Sequence, residues 1–221
     1  MKFTKLLSLF LFCMFSFTIV SSQTKRAMEL EDLFRIQRVS DPQLSPDGKT
    51  VAYVISVIDK AANKSNSDIW LIPTHGGEAK QLTNSPKHDR HPRWSPDGKW
   101  IAFESNREGS FQIYLINVQN KETKKLTSIS TEATGAVWSP TGKQLAFVST
   151  VFPEFSALPF AIADSLNKAK QETRDNSKVK ARIITKLLFR HWDSWVDDKR
   201  QHVFVVNVDG SKTLISENWN F

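Results

Sequence analysis

Three segments of this chain repeat one another, and the repeat constrains the fold more than any other feature. Leu44-Ser45-Pro46-Asp47-Gly48-Lys49 runs into Val51-Ala52-Tyr53-Val54. Trp94-Ser95-Pro96-Asp97-Gly98-Lys99 runs into Ile101-Ala102-Phe103-Glu104, and Trp138-Ser139-Pro140-Thr141-Gly142-Lys143 into Leu145-Ala146-Phe147-Val148. The three serines stand 50 and 44 residues apart, a period that suits a four-stranded propeller blade. Proline presets φ at the first central position of a β-turn, and glycine accepts the left-handed geometry that follows. Apolar residues on both sides make each turn a hairpin between the first two strands of a blade. Trp94 and Trp138 are placed to pack between neighbouring blades, and Leu44 takes that position in the first copy.

A second half-repeat agrees in phase. Asp68–Ile72, Gln112–Ile116 and His202–Val206 read as third strands, and outer strands end at Gln81-Leu82-Thr83, Lys125-Leu126-Thr127 and Leu214-Ile215-Ser216. Leu82 to Trp94 and Leu126 to Trp138 are both 12 residues. The expected fold is all-β: a partial β-propeller of about three four-stranded blades over 39–84, 85–128 and 129–216, with an insertion at 151–200 in the third. Twelve residues beyond Leu214 lies past Phe221, so the array reads as incomplete, a fragment of a longer protein. Glu29 to Gln37 has the spacing of a short amphipathic helix. Within the insertion, Ala161 to Lys180 reads as a surface helix or a mobile loop, and Val179 to Phe189 is apolar enough to return to the sheet.

Residues 1–22 have the order of a secretory signal peptide: Lys2 and Lys5, an apolar run from Leu6 to Val20, then small Ser21 and Ser22 before Gln23-Thr24-Lys25-Arg26. Cleavage after Ser22 leaves 23–221 exported to the periplasm or the outside, without a membrane anchor. The apolar run is short of the roughly 20 residues that a membrane helix needs. Cys13, the only cysteine, lies in this leader, so the mature chain is stabilised by packing and strand pairing without disulfides. The formal charge of +7 is spread along the chain with no Lys/Arg run, which argues against a nucleic-acid partner.

The stretch from Trp94 through Ser105-Asn106-Arg107-Glu108-Gly109 to Leu115 resembles the blade repeats of TolB-type propellers. Asp32-Leu33-Phe34 followed by Val39-Ser40-Asp41-Pro42-Gln43-Leu44 is similar to the opening of propellers in the prolyl oligopeptidase family, in its bacterial dipeptidyl- and acylaminoacyl-peptidase branch. Arg190-His191-Trp192-Asp193 with Arg200 to Val206 resembles the same branch. That resemblance implies a C-terminal α/β-hydrolase domain with a Ser-Asp-His triad, short peptides as substrates and no cofactor. It makes the propeller a lid that limits entry and takes part in binding a peptide's N-terminus. None of the eight glycines begins Gly-x-Ser, so the nucleophile elbow is missing and no residue of this chain is assigned a catalytic role. The alternative reading is a non-enzymatic TolB-like periplasmic propeller serving as a protein-interaction scaffold.

Trp192, Asp193 and Trp195, beside Asp197 and Asp198, are the candidates for a substrate gate, with packing on a blade edge as the other explanation. His88 and His91 have a spacing that zinc would accept, but no third ligand is placed, so no metal is expected. Glu29, Glu31 and Asp32 read either as a grip for an ammonium group or as acids favoured at a helix N-terminus. Arg107 reads as a turn residue.

Overall fold

The computed structural model describes residues 26–181, 184, 187, 189–209 and 213–215. The leader and its cleavage site lie outside them. The chain divides into two units, 1–33 and 34–221. In the first, the Arg26 guanidinium grips the Asp32 carboxylate, and the Glu29 amide donates to the same carboxylate. The helix expected over 29–37 is only Asp32–Arg35, and no residue of it is buried. One turn makes too few hydrogen bonds to extend itself without an apolar face to cover.

The second unit is built of antiparallel meanders. β1 (Arg38–Leu44), β2 (Thr50–Asp59), β3 (Lys64–Pro73) and β4 (Lys80–Gln81) form the first sheet. β5 (Asp89–Trp94), β6 (Trp100–Ser105), β7 (Gln112–Asn117) and β8 (Thr123–Lys125) form the second. β9 (Thr134–Trp138) and β10 (Gln144–Val151) are completed by β13 (Arg200–Asn207) and β14 (Thr213–Ile215) after a long excursion. These are three blades of a partial propeller, with strands where the repeat places them.

The turns explain why the copies superpose. In the first, the Ser45 hydroxyl donates to Asp47 at 2.6 Å and accepts from the Thr50 amide at 2.9 Å. Ser95, Asp97 and Trp100 repeat both bonds at the same lengths. In the third copy Thr141 replaces the aspartate, and the contacts lengthen to 3.1 Å and 3.2 Å. Gly48, Gly98 and Gly142 all hold φ near +70° (71°, 68° and 68°), where a side chain would be strained.

The middle blade is apolar on both faces because it is covered on both. Ile101, Phe103, Tyr114 and Ile116 meet Ala52 and Ile69 of the first blade. Ala102, Ile113 and Leu115 meet Leu145, Phe147, Phe204 and Val206 of the third. The tryptophans stitch the same seams: Trp94 Nε1 donates to Gln43 O at 3.1 Å and Trp138 Nε1 to Arg93 O at 2.9 Å. Leu44, at the equivalent position of the first blade, is 60% exposed.

The excursion between β10 and β13 begins with buried Phe152, a 3₁₀ turn over Pro153–Phe155 and a helix over Phe160–Asn176. The charged stretch is therefore helical. Buried Asn167 ties it down, accepting from the Phe152 amide and donating to Ala163 O, both at 2.8 Å. Arg174 and Lys170 reach Asp198 at 2.7 Å and 3.6 Å, closing the base of the insertion. Of Val179–Phe189, expected to return to the sheet, the described residues are in no strand, and 182, 183, 185, 186 and 188 lie outside the described residues. β10 is paired rung by rung with β13, from Gln144↔Asn207 to Val151↔Arg200, so the sheet has no rung left for an earlier return.

Candidate functional site

The first strands of the blades, β1, β5 and β9, contact one another in order. Each is broken by a β-bulge: between Ser40 and Gln43, between Arg90 and Arg93, and between Thr134 and Val137. At each bulge one residue has positive φ: Asp41 (49°), His91 (58°) and Gly135 (66°). Asp41 and His91 also precede prolines, which disfavour helical geometry in the residue before them. Bulges re-aim side chains, and strain of this kind collects where a fold positions polar groups.

Here the three bulges frame a pocket of about 430 Å³ lined by Ser40, Asp41, Arg90, His91, Glu104 and Gly135, among others. Arg93 Nη1 donates to Asp41 Oδ1 at 2.9 Å, across the seam between the first two blades. His91 Nδ1 lies 3.1 Å from Asp41 Oδ2 and 3.0 Å from Arg93 Nη2. That nitrogen donates to the carboxylate or accepts from the guanidinium, according to its tautomer. On the next seam Glu104, nearly buried, accepts from Arg90 Nε at 2.9 Å and from the Gly135 amide at 2.7 Å. The Arg90 guanidinium also lies 3.8 Å from the Phe111 ring centroid.

A second polar cluster is structural. Asp89 is fully buried, and both its oxygens accept from Arg107 Nη2, at 3.1 Å and 3.0 Å. Arg107 Nε donates to Ser105, and its guanidinium lies over the Tyr114 ring at 4.6 Å. Arg107 is thus the partner of a buried charge and more than a turn residue. Burial first, then the bond to Glu108, pushes the Tyr114 hydroxyl up to about 12.

Trp192, Asp193 and Trp195 are brought together elsewhere, in a hairpin of β11 (Arg190–His191) and β12 (Ser194–Trp195). Trp192 sits at its tip, 87% exposed and with φ of 53°. Trp195 stacks on Phe189 at 6.2 Å between centroids, and Arg190 Nε donates to Trp192 O. The hairpin and the pocket share no lining residue.

His88 and His91 do not converge on a common point: His88 Nδ1 contacts Ser67 Oγ at 3.2 Å, while His91 faces Asp41. Among the described residues, no three His, Cys, Asp or Glu gather as metal ligands. Asp32 is engaged by Arg26. Reading along the sequence missed Asp41, Arg90, Arg93 and Glu104. The signal was the third position before Leu44, Trp94 and Trp138, where a glycine in one copy marks the left-handed geometry of all three.

A family model for the TolB beta propeller domain, PD40, matches residues 35–216. The chain is 39% identical over 180 residues to a dipeptidyl-peptidase 5 of Porphyromonas gingivalis, covering 80% of this chain and 24% of that protein. It is 32% identical over 181 residues to a dipeptidyl-peptidase 5 of Porphyromonas endodontalis, covering 82% and 24%. The chain thus spans about a quarter of the length of these relatives. An acylaminoacyl peptidase in complex with Z-Gly-Gly-Phe-chloromethyl ketone shares the fold, with a TM-score of 0.62 at 17% identity over 86% of this chain and 26% of that one.

Proposed function

The chain belongs to the TolB β-propeller domain family, and from that premise we propose that it is the substrate-gating propeller of an exported serine peptidase acting on short peptides from their N-terminus. The observation that carries the reading is the likeness to dipeptidyl-peptidase 5, which takes up nearly the whole chain but a minor part of the relative. In this reading a C-terminal α/β-hydrolase domain supplies the Ser-Asp-His triad, and the propeller restricts what reaches it. Size exclusion of this kind improves selectivity by rejecting what does not fit. The leader, cleaved after Ser22, directs the protein to the periplasm or the outside, and no described helix is long and apolar enough to cross a membrane.

Trp192, Asp193 and Trp195 are the gate residues of this proposal. Their support is a short two-stranded projection, anchored at its base by the ion pairs of Lys170 and Arg174 with Asp197 and Asp198, with an exposed indole at the tip. The test is to sequence the coding region past Phe221 and assay the whole product on dipeptidyl and acyl-amino acid reporters. A G-x-S-x-G elbow and hydrolysis of short reporters are expected, and Trp192→Ala should widen the accepted peptide length. Further blades followed by a stop, with no hydrolysis, would replace the peptidase by the scaffold reading.

A further inference from the structure

We infer that the pocket at the three bulges is a carboxylate site with Arg90 as its fork, taking the C-terminal carboxylate of a short peptide. The choice of a peptide rests on the proposed function; the carboxylate chemistry rests on the pocket itself. Both anions in it are already engaged. Glu104 Oε2 accepts from Arg90 Nε and Oε1 from the Gly135 amide. Asp41 Oδ1 accepts from Arg93 and from Gln43 Nε2 at 3.1 Å, while Oδ2 faces His91.

What remains open is the donor side. Arg90 is held twice, by Glu104 at Nε and by Phe111 beneath its plane. Its Nη1 and Nη2 make no hydrogen bond among the described residues, and its side chain is 48% exposed. A guanidinium fixed at Nε presents its other two nitrogens as a preorganised fork, which a carboxylate fits with two parallel bonds. Ser40 and Thr134 line the site beside it. A volume of about 430 Å³ falls within the range of small-ligand pockets and suits a di- or tripeptide.

The experiment is calorimetric titration of the full chain with four probes: Ala-Phe, its C-terminal amide, N-acetyl-Ala-Phe and acetate. Ala-Phe and its N-acetyl form should bind alike, and the amide at least about tenfold more weakly, since a hydrogen bond to a charged group is lost. Acetate should bind weakly and compete with Ala-Phe. Arg90→Lys, which keeps the charge and loses the fork, should weaken Ala-Phe about tenfold, with its circular dichroism unchanged. Equal binding of acid and amide overturns the site without recourse to any variant, as does failure of Ala-Phe to bind. Acetate binding as tightly as Ala-Phe overturns the peptide as ligand. Because the titration needs no hydrolysis, a peptidase assay that fails while Ala-Phe binds through Arg90 removes the proposed function alone.

Discussion

Asp68 and Gln112 occupy the same rung of their third strands, opposite Ile55 and Ser105 respectively. Both bind the loop after the fourth strand. Gln112 Oε1 accepts from Thr127 Oγ1 and the Ile129 amide, and Asp68 Oδ1 accepts from Thr83 Oγ1 and the Ser85 amide. The first blade does with a nearly buried carboxylate what the second does with an amide. Burial, with Asp89 as a like charge nearby, holds the Asp68 carboxyl above its usual range. A raised acid is a penalty wherever it must be ionised, so the cost is present at neutral pH and fades as pH falls through the raised pKa towards 3.8. Asp68→Asn should therefore raise the urea midpoint at pH 7, with the advantage shrinking in acid over that window. Asp89, by contrast, has its charge matched by the Arg107 guanidinium at 3.0 Å. Arg107→Met strands a fully buried carboxylate and should cost about 3 kcal/mol in urea unfolding. Adding Asp89→Asn to Arg107→Met should restore part of that loss.

At the scale of elements, the turn is the unit that recurs. Hydrogen bonds from Ser45 and Ser95 hold the Asp47 and Asp97 carboxyls below their usual range. Thr141 supplies a neutral acceptor in the third turn, with longer bonds. Thr141→Asp should stabilise the protein by about 0.5 kcal/mol at pH 7, read as a shift in urea midpoint. Its benefit depends on the ionised form, so it should be fully present above the ordinary carboxyl value of 3.8 and be lost as pH falls from there through the lowered one. The insertion follows different rules. Its helix has one buried asparagine as an anchor, and its outer hairpin has two-residue strands, a stacked aromatic pair and the two contacts of the Arg190 guanidinium.

At the scale of the whole molecule, stability lies in the two seams on either side of the middle blade. Trp138→Phe keeps an aromatic ring on one seam and removes its bond to Arg93 O. It should cost about 1 kcal/mol and raise amide exchange first in β9, as the third blade loosens from the second. The repeat settled the strand order within these three blades and the position of each hairpin, because proline, glycine and a short acceptor act within a few residues of one another. The tryptophans before the turns were legible for the same reason. By contrast, the site joins Asp41 to Arg93 and Glu104 to Gly135, each pair contributed by different blades whose spacing along the chain says nothing of their contact. The length of the first helix, the role of Arg107 and the exposure of Trp192 likewise followed from what lies beside each residue in space. Local backbone chemistry writes itself along a chain; pairing between distant strands, and the charges it brings face to face, exists only once the blades have stacked.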